Sequence, residues 1–230
     1  MLQQTQVPRV ERKWPDFMSA FPDVRALAAA PLSEVLKVWR GMGYDRRAVH
    51  LKRMAETVVA EHGGELPRTL EGLLALPGVG PATAGAVAAF AYGEPHPYVE
   101  TNIRAVYLHR FFGDRCDVPD RELMSLVEAT LDRDDPREWY YALMDYGAHL
   151  KRTTPNPCRR SAHHAPQAPL AGSRRQARAR LLRAVLDEPG GTTERYAALA
   201  GVAAGDAEEL LGRLRDEGFL AAEDGRWAVA

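Results

Sequence analysis

Residues 76–87 read LPGVGPATAGAV, a glycine turn between two apolar stretches. Gly78 and Gly80 allow the backbone to turn sharply and to approach a bulky partner closely. Pro81 suits the first turn of a following helix, where its missing N–H costs no hydrogen bond. The stretch therefore predicts a helix, a hairpin and a second helix whose first N–H groups suit a phosphate. A simple tight turn between two helices is the alternative.

The sequence on both sides of this hairpin predicts further helices. Apolar residues recur at helical spacing in SEVLKVWR (33–40) and in the segment that runs from Arg46 to the glycine pair Gly63-Gly64. Further helices are predicted at 102–112, 119–132 and 136–150, and no alternating strand pattern of useful length precedes residue 190. The predicted fold class is therefore all-α.

The C-terminal part of the chain has a different pattern. Three helices and a short hairpin turning at Asp224-Gly225 are predicted there, which is the order of a small winged-helix domain. Such a domain contacts nucleic acid or a partner protein, and a module that only stabilises the body is the alternative. The predicted division is a body at 1–160, a basic irregular linker at 151–172 and a winged-helix-like domain at 173–230.

Composition excludes several classes of protein. The 230 residues are 46% hydrophobic and contain two cysteines, Cys116 and Cys158. Two distant thiols make neither a disulfide framework nor a four-thiolate metal site. No run of 18 apolar residues and no basic-then-apolar leader pattern occurs, so we expect no membrane partner. The two distant cysteines lead us to expect that the protein works in the reducing cytoplasm.

Charge is unevenly distributed along the chain. The net charge is −1, yet nine Lys and Arg residues and no acidic residue lie between positions 147 and 185. A segregated basic stretch suits a polyanion such as nucleic acid. A solvated linker is the alternative.

Four motifs in order carry a family resemblance. They are MLQQTQV (1–7), GMGYDRRA (41–48), the hairpin stretch and ETNIR (100–104). Together they resemble the helix-hairpin-helix (HhH-GPD) DNA glycosylases, and within them the MutY adenine glycosylases, with endonuclease III as the nearest relative of that group. The resemblance covers about residues 1–160. It implies an HhH glycosylase body, a double-stranded DNA partner with a mismatched or damaged base, and base flipping before cleavage of the C1′–N bond.

The resemblance assigns the site residues. Glu100 matches the family's essential aspartate, whose carboxylate stabilises the oxocarbenium-like sugar, although Glu is one methylene longer. An exposed acid that caps a helix is the alternative for Glu100. Tyr44 matches an aromatic wedge beside the lesion, with a core tyrosine as the alternative. The full set of implied DNA-binding residues is Gln3, Gln4, Tyr44, Gly78, Val79, Gly80, Ala82, Thr83 and Asn102.

Position 82 bears on the reaction. Bifunctional relatives carry a lysine there that forms a Schiff base and leads to strand cleavage, whereas this chain has Ala82. We therefore expect a monofunctional glycosylase without lyase activity. The predicted substrate is adenine in A/G or A/8-oxoguanine mispairs. A mismatch uracil or thymine glycosylase and a DNA-binding protein that has lost catalysis are the alternatives.

Three departures from the family pattern qualify this expectation. The family's general-acid glutamate would lie before Met1, so we expect the 230-residue chain to bind DNA but to turn over slowly or not at all. The four iron–sulfur ligand positions align with Lys151, Cys158, Ser161 and Gln167, so we expect no cluster and no other cofactor. Residues 173–230 are too few for the family's 8-oxoguanine-recognising domain. We expect a cytoplasmic, nucleoid-associated monomer.

One further metal hypothesis concerns the basic loop. Cys158 lies near His163 and His164 in sequence, and thiolate with imidazole is a ligand combination that zinc uses. Arginines of the same loop suggest instead that it contacts DNA phosphates. We expect no metal there.

Overall fold

The structure is a computed structural model that describes residues 1–166 and 169–230. Helices dominate it, which confirms the predicted all-α class. The chain forms two compact units, one from residues 1–65 together with 169–230, and the other from residues 66–166. Within the described residues, no helix is both long and apolar enough to cross a membrane.

Most of the elements are α-helices. A π-helical segment, Ala88–Tyr92, continues α6, and a 3-10 turn, Pro157–Arg160, follows α9. The α-helices are α1 (Val7–Ala20), α2 (Val24–Ala29), α3 (Leu32–Trp39), α4 (Arg46–Glu61), α5 (Leu70–Ala75), α6 (Pro81–Val87), α7 (Thr101–Phe111), α8 (Asp120–Thr130), α9 (Pro136–Thr153), α10 (Arg174–Asp187), α11 (Thr193–Ala200) and α12 (Ala204–Asp216). The strands are β1 (Leu220–Glu223) and β2 (Arg226–Val229).

The first unit has one hydrophobic core built from both ends of the chain. Phe17 of α1 meets Trp39 of α3 edge to face at 6.2 Å between ring centroids. Leu181 of α10, Tyr196 of α11 and Phe219 before β1 are fully buried in the same cluster. The predicted C-terminal segment therefore shares its core with residues 1–65.

The C-terminal segment itself has the predicted order of elements. Three helices lead into an antiparallel hairpin in which Leu220 pairs with Val229. Asp224 and Gly225 both have positive φ, as a two-residue hairpin turn with matching strand twist requires. The winged-helix assignment and the predicted domain division stay predictions.

Helix α1 is an element that the sequence analysis did not predict. Pro8 lies in its first turn, and Pro15 lies inside it. An internal proline removes one intrahelical hydrogen bond, so in a sequence it usually indicates that no helix continues through it. Burial of Val10 and Phe17 on the side that faces the core stabilises the helix despite this loss.

The second unit is built around α7. Ile103, Tyr107 and Leu108 of this helix are buried against α8 and α9. The 3-10 turn after α9 also docks on α7, because the Arg160 guanidinium donates to the Leu108 carbonyl at 3.0 Å. The C-terminal half of α7 is thereby fixed inside the unit, and the N-terminal end of the same helix carries Glu100.

Candidate nucleic-acid interface

The hairpin uses its two glycines differently. Gly78 has φ +75°, a left-handed conformation that side-chain-bearing residues rarely adopt. Gly80 has φ −95°, and a Cβ added to it would meet nothing within 4 Å. The first turn of α6 closes when Ala84 donates to the Gly80 carbonyl at 2.9 Å. Gly78 therefore makes the turn, and Gly80 leaves an open, bare backbone at the start of α6.

Close packing connects α6 with the segment before α7. A Cβ on Gly85 would lie 2.7 Å from the Cβ of Tyr98, so only glycine allows this approach. Tyr98 is 1% exposed, and its ring lies 4.4 Å from that of Tyr140, centroid to centroid, at a tilt of 35°. The Tyr140 hydroxyl donates to the His96 carbonyl at 2.8 Å. The residue two positions before Glu100 is thus held rigidly against the helix that follows the hairpin.

Glu100 is the N-terminal cap of α7. One carboxylate oxygen, Oε1, accepts the backbone N–H of Asn102 at 2.5 Å and that of Ile103 at 2.8 Å. Among the residues that the structure describes, the other oxygen, Oε2, accepts only from the side-chain amide of Asn102, at 3.4 Å. Glu100 therefore caps the helix, as in the alternative interpretation, but it is partly buried and not an exposed acid. The cap leaves Oε2 with acceptor capacity, at a helix end whose dipole favours negative charge.

Two buried polar atoms flank this carboxylate in sequence. The Tyr98 hydroxyl and the Asn102 Oδ1 have no hydrogen-bond partner among the described residues. Burial first, then the neighbouring Tyr140 and Glu100, raise the pKa of the Tyr98 hydroxyl. Tyr98 therefore stays neutral and can serve as a donor.

The first turn of α7 is held by two neighbours. The Cys158 thiol of the 3-10 turn donates to the Thr101 carbonyl at 3.2 Å. Gly147 of α9 lies so close that an added Cβ would be 2.6 Å from the Asn102 carbonyl carbon. Sequence reasoning missed Gly147, whose only signal is a glycine inside a predicted helix.

The other unit carries Tyr44 in a short loop, Gly41–Asp45. Met42 anchors this loop in the core with 1% exposure, and the Trp39 indole N–H donates to the Gly43 carbonyl at 3.2 Å. Tyr44 itself is 44% exposed and has φ +51°, a strained conformation for an aromatic residue. Its exposure excludes a core tyrosine and leaves the ring accessible to a partner.

Arg47 is a second residue that sequence reasoning missed. Its guanidinium donates to the Gln3 carbonyl, to the Thr5 hydroxyl at 2.7 Å and to the Gly43 carbonyl at 3.1 Å. It also lies over the Tyr44 ring at 5.7 Å from the centroid. Arg47 therefore brings the N-terminal turn with Gln3 beside the Tyr44 loop. In sequence it looks like one of two solvated arginines.

Gln4 belongs to the same N-terminal turn. Its side chain is exposed, and its φ is +54°, in the left-handed region. Burial lowers the pKa of the nearby Arg47. The guanidinium remains a cation, because arginine is protonated at every physiological pH.

The aligned iron–sulfur positions do not fit a cluster. Lys151 and Ser161 offer no thiolate, and Gln167 lies outside the described residues. Cys158 is 7% exposed, and burial raises the pKa of its thiol, which opposes metal binding. Among the described residues no group of three His, Cys, Asp or Glu side chains could hold a metal ion, including zinc.

Comparison with known proteins decides the family. Residues 1–130 match the HhH-GPD superfamily, described as base excision DNA repair proteins. The chain belongs to this HhH-GPD superfamily. The predicted family resemblance is therefore confirmed, and the helix-hairpin-helix at residues 70–87 is the element that gives the superfamily its name.

Two adenine DNA glycosylases are similar to part of the chain. An adenine DNA glycosylase of Mycolicibacterium smegmatis is 40% identical over 149 residues, which are 64% of this chain and 51% of that protein. A human adenine DNA glycosylase is 38% identical over 152 residues, 64% of this chain and 28% of the relative. The chain thus spans about half or less of the curated relatives it matches.

Solved structures support the HhH-GPD fold. A thermostable thymine-DNA glycosylase is 27% identical with a TM-score of 0.59, covering 68% of this chain and 74% of that one. A non-covalent endonuclease III–DNA complex is 22% identical with a TM-score of 0.54, covering 74% of each chain. The second likeness concerns the fold alone.

Proposed function

We propose that this chain is a monofunctional DNA glycosylase that removes adenine from A/G or A/8-oxoguanine mispairs. The observation that carries the proposal is the Glu100 carboxylate, which caps α7 with one oxygen and keeps the other available. Similarity to adenine DNA glycosylases of 38–40% identity supports the choice of base.

The reaction proposed for this carboxylate is a hydrolysis at the sugar. The C1′–N bond breaks, and its electron pair leaves with the base, which takes up a proton. Positive charge then develops on the sugar, and the Glu100 carboxylate offsets it. Water adds to C1′ and loses a proton, which leaves an abasic site.

Ala82 supports the absence of strand cleavage. Its methyl group packs partly buried against the core of its unit, at the position where bifunctional relatives carry a lysine. Without an amine at this place no Schiff base forms with the sugar. The proposed product is therefore an intact strand that contains an abasic site.

The hairpin and Tyr44 are proposed to hold the DNA. The bare backbone at Gly80 and the following helix start suit a phosphate oxygen. The exposed Tyr44 ring offers a stacking surface to a base, which is worth about 1–3 kcal/mol and tolerates many sequences.

A second candidate has a specific observation in its favour. The structural match at 27% identity is named a thymine-DNA glycosylase, and its TM-score of 0.59 supports a common fold. Removal of thymine or uracil from mispairs with guanine uses the same carboxylate and the same bond cleavage. The choice of duplex substrate distinguishes the two candidates.

Single-turnover kinetics test the proposal. Duplexes with A:8-oxoguanine, A:G, T:G and U:G pairs are incubated with residues 1–230 and with a chain extended upstream in frame. Base release from the adenine duplexes supports the proposal, and release only from T:G or U:G supports the second candidate. Strands should break only after alkali, because the enzyme itself leaves them intact. Tight mismatch binding without any release by either form would show a DNA-binding protein without catalysis.

Variants of Glu100 link the activity to the carboxylate. In the chain extended upstream, Glu100→Gln keeps the shape but removes the charge, so base release should fall on the order of 10²–10³-fold or more while duplex binding persists. Glu100→Asp restores the family residue and remains a good helix cap, so it should retain activity. Equal rates for Glu100→Gln and the parent would overturn the role of this carboxylate.

We also propose that no iron–sulfur cluster is held. The support is chemical, since Lys151 and Ser161 replace two thiolates and the Cys158 thiol is buried against the Thr101 carbonyl. Elemental analysis of the purified protein should find no stoichiometric iron. About four irons per chain with a brown absorbance band would contradict this.

A further inference from the structure

Helix α10 carries five arginines, and they differ in their partners. Arg174 and Arg178 form ion pairs of 2.6 and 2.9 Å with glutamates on and just after α12. Arg180 and Arg183 are exposed and form no ion pair with any residue that the structure describes. Two of the five guanidiniums therefore face solvent without an ion-pair partner in the described part of the chain.

These two arginines belong to one face of α10. Arg180, Arg183 and Asp187 are spaced by three and four residues, which places them side by side on a helix surface. Asp187 forms an ion pair of 2.5 Å with Arg40, the residue after α3. We call Arg40, Arg180, Arg183 and Asp187 the α10 strip. With three arginines and one aspartate it has a net charge of +2.

The α10 strip lies beside the Tyr44 loop. Arg40 directly precedes this loop, so the Arg40–Asp187 pair fixes one of its ends to α10. At the other end, Arg46 shares Glu217 with Arg178 of α10, at 2.8 and 2.9 Å. Helix α10 is therefore linked to both ends of the segment that exposes Tyr44.

The pKa of Asp45 also indicates that Arg183 lies near the Tyr44 loop. Burial raises the pKa of Asp45, the residue after Tyr44, and the positive charges of Arg178, Arg183 and Arg47 oppose this rise. Arg183 is thus close enough to act on the neighbour of Tyr44, while its own side chain stays exposed to solvent.

We propose that the α10 strip binds backbone phosphates of duplex DNA next to the base step that Tyr44 enters. This inference rests on the proposed function, because it takes Tyr44 as the aromatic wedge. A guanidinium donates to phosphate oxygens with two parallel N–H groups, which makes arginine well suited to this contact. The strip would give residues 169–230, which lie beyond the family match at 1–130, a direct role in DNA binding.

Salt dependence of duplex binding tests the strip. Each phosphate contact contributes about 0.9 to the slope of log K against log salt concentration. The variant Arg180→Gln/Arg183→Gln should therefore bind a mismatched duplex with a slope about 1.8 smaller in magnitude. Arg180→Lys/Arg183→Lys keeps both charges and should retain most of the slope.

A matched control removes two other arginines of the same unit. Arg213→Gln/Arg215→Gln on α12 loses the same charge, but these side chains pair with Glu209 and Asp216. An unchanged slope in the α10 variant, or an equal loss in the control, would overturn the inference while leaving the proposed glycosylase intact. Failure of the parent chain to bind any duplex would overturn both.

Discussion

The backbone of Gly147 in α9 lies directly against the carbonyl group of Asn102 in α7. A Cβ at position 147 would be 2.6 Å from the Asn102 carbonyl carbon and 2.8 Å from its Cα. Both neighbours are backbone atoms, which cannot move aside as a flexible side chain would. The position of the first turn of α7, and with it the Glu100 cap, therefore depends on the absence of a side chain at residue 147.

Gly147→Ala should destabilise the protein by about 1–3 kcal/mol, the usual cost of overpacking. Chemical denaturation measures this, and base release should fall as well, because α7 must shift. Gly212→Ala is the matched control, since Gly212 lies inside α12 with nothing within 4 Å of an added Cβ. It should stabilise by about 0.5–1 kcal/mol. Equal behaviour of the two variants would contradict the packing argument.

Gly80→Glu should weaken binding to duplexes of every sequence. A Cβ at position 80 would meet no atom within 4 Å, so the variant should fold normally. The new carboxylate would then repel a DNA phosphate. Gly80→Ala adds bulk without charge and should bind within a few-fold of the parent. Fluorescence anisotropy with an undamaged duplex compares the three proteins. Normal affinity of Gly80→Glu would exclude the hairpin from the phosphate contact.

Tyr44→Ala should lower the affinity for a mismatched duplex by about 1–3 kcal/mol through loss of stacking. Tyr44→Phe keeps the ring and should bind like the parent. Tyr44→Asn loses the ring as well, but it should raise the stability, because asparagine tolerates the φ of +51° better than tyrosine does. Binding titrations and thermal unfolding separate the two effects. Unaltered affinity of Tyr44→Ala would show that the ring is no wedge.

The Arg104–Asp120 pair predicts a pH dependence of stability. Two hydrogen bonds of 2.8 and 2.6 Å from Arg104 lower the pKa of Asp120 below its ordinary 3.8. The folded state therefore binds this proton more weakly than the unfolded state does. The stabilisation is present above pH of about 4 and is lost as the pH falls through the lowered pKa.

Asp120→Asn tests this sign. The variant should be less stable than the parent at pH 7, and the difference should shrink below pH of about 4. Asp114→Asn is the control, because Asp114 is exposed and forms no ion pair in the described part of the chain. Denaturant midpoints at several pH values measure both. A constant difference between Asp120→Asn and the parent would refute the coupling.

Local sequence pattern predicted most of the fold because most of the helix ends are set by local residues. The helix after Pro81, the stop at Gly63-Gly64 and the turn at Asp224-Gly225 follow from the conformations that glycine and proline allow. Helix α1 escaped prediction, since its stability comes from burial of Val10 and Phe17 by residues far away in sequence. Tertiary packing there outweighs the local effect of Pro15.

Some residues of the candidate site can likewise be suggested from the sequence, and others cannot. Motif positions in the sequence alone are enough to propose Glu100 and the hairpin glycines as candidate site residues. Gly147 and Arg47 could not be found so, because their importance lies in contacts with Asn102 and with the Tyr44 loop. A glycine inside a helix and an arginine among other arginines carry no sequence signal of a specific partner.

The core shared by residues 1–65 and the C-terminal helices has a consequence for how the chain is made. During synthesis, Phe17 and Trp39 leave the ribosome long before Leu181 and Phe219, which complete their core. Residues 66–166 have their own core and can fold while the rest is still being translated. Until the C-terminal helices have been synthesised, apolar side chains of the first 65 residues remain exposed to solvent. Premature termination after residue 166 would therefore leave a chain that is half folded and exposed to chaperones and proteases.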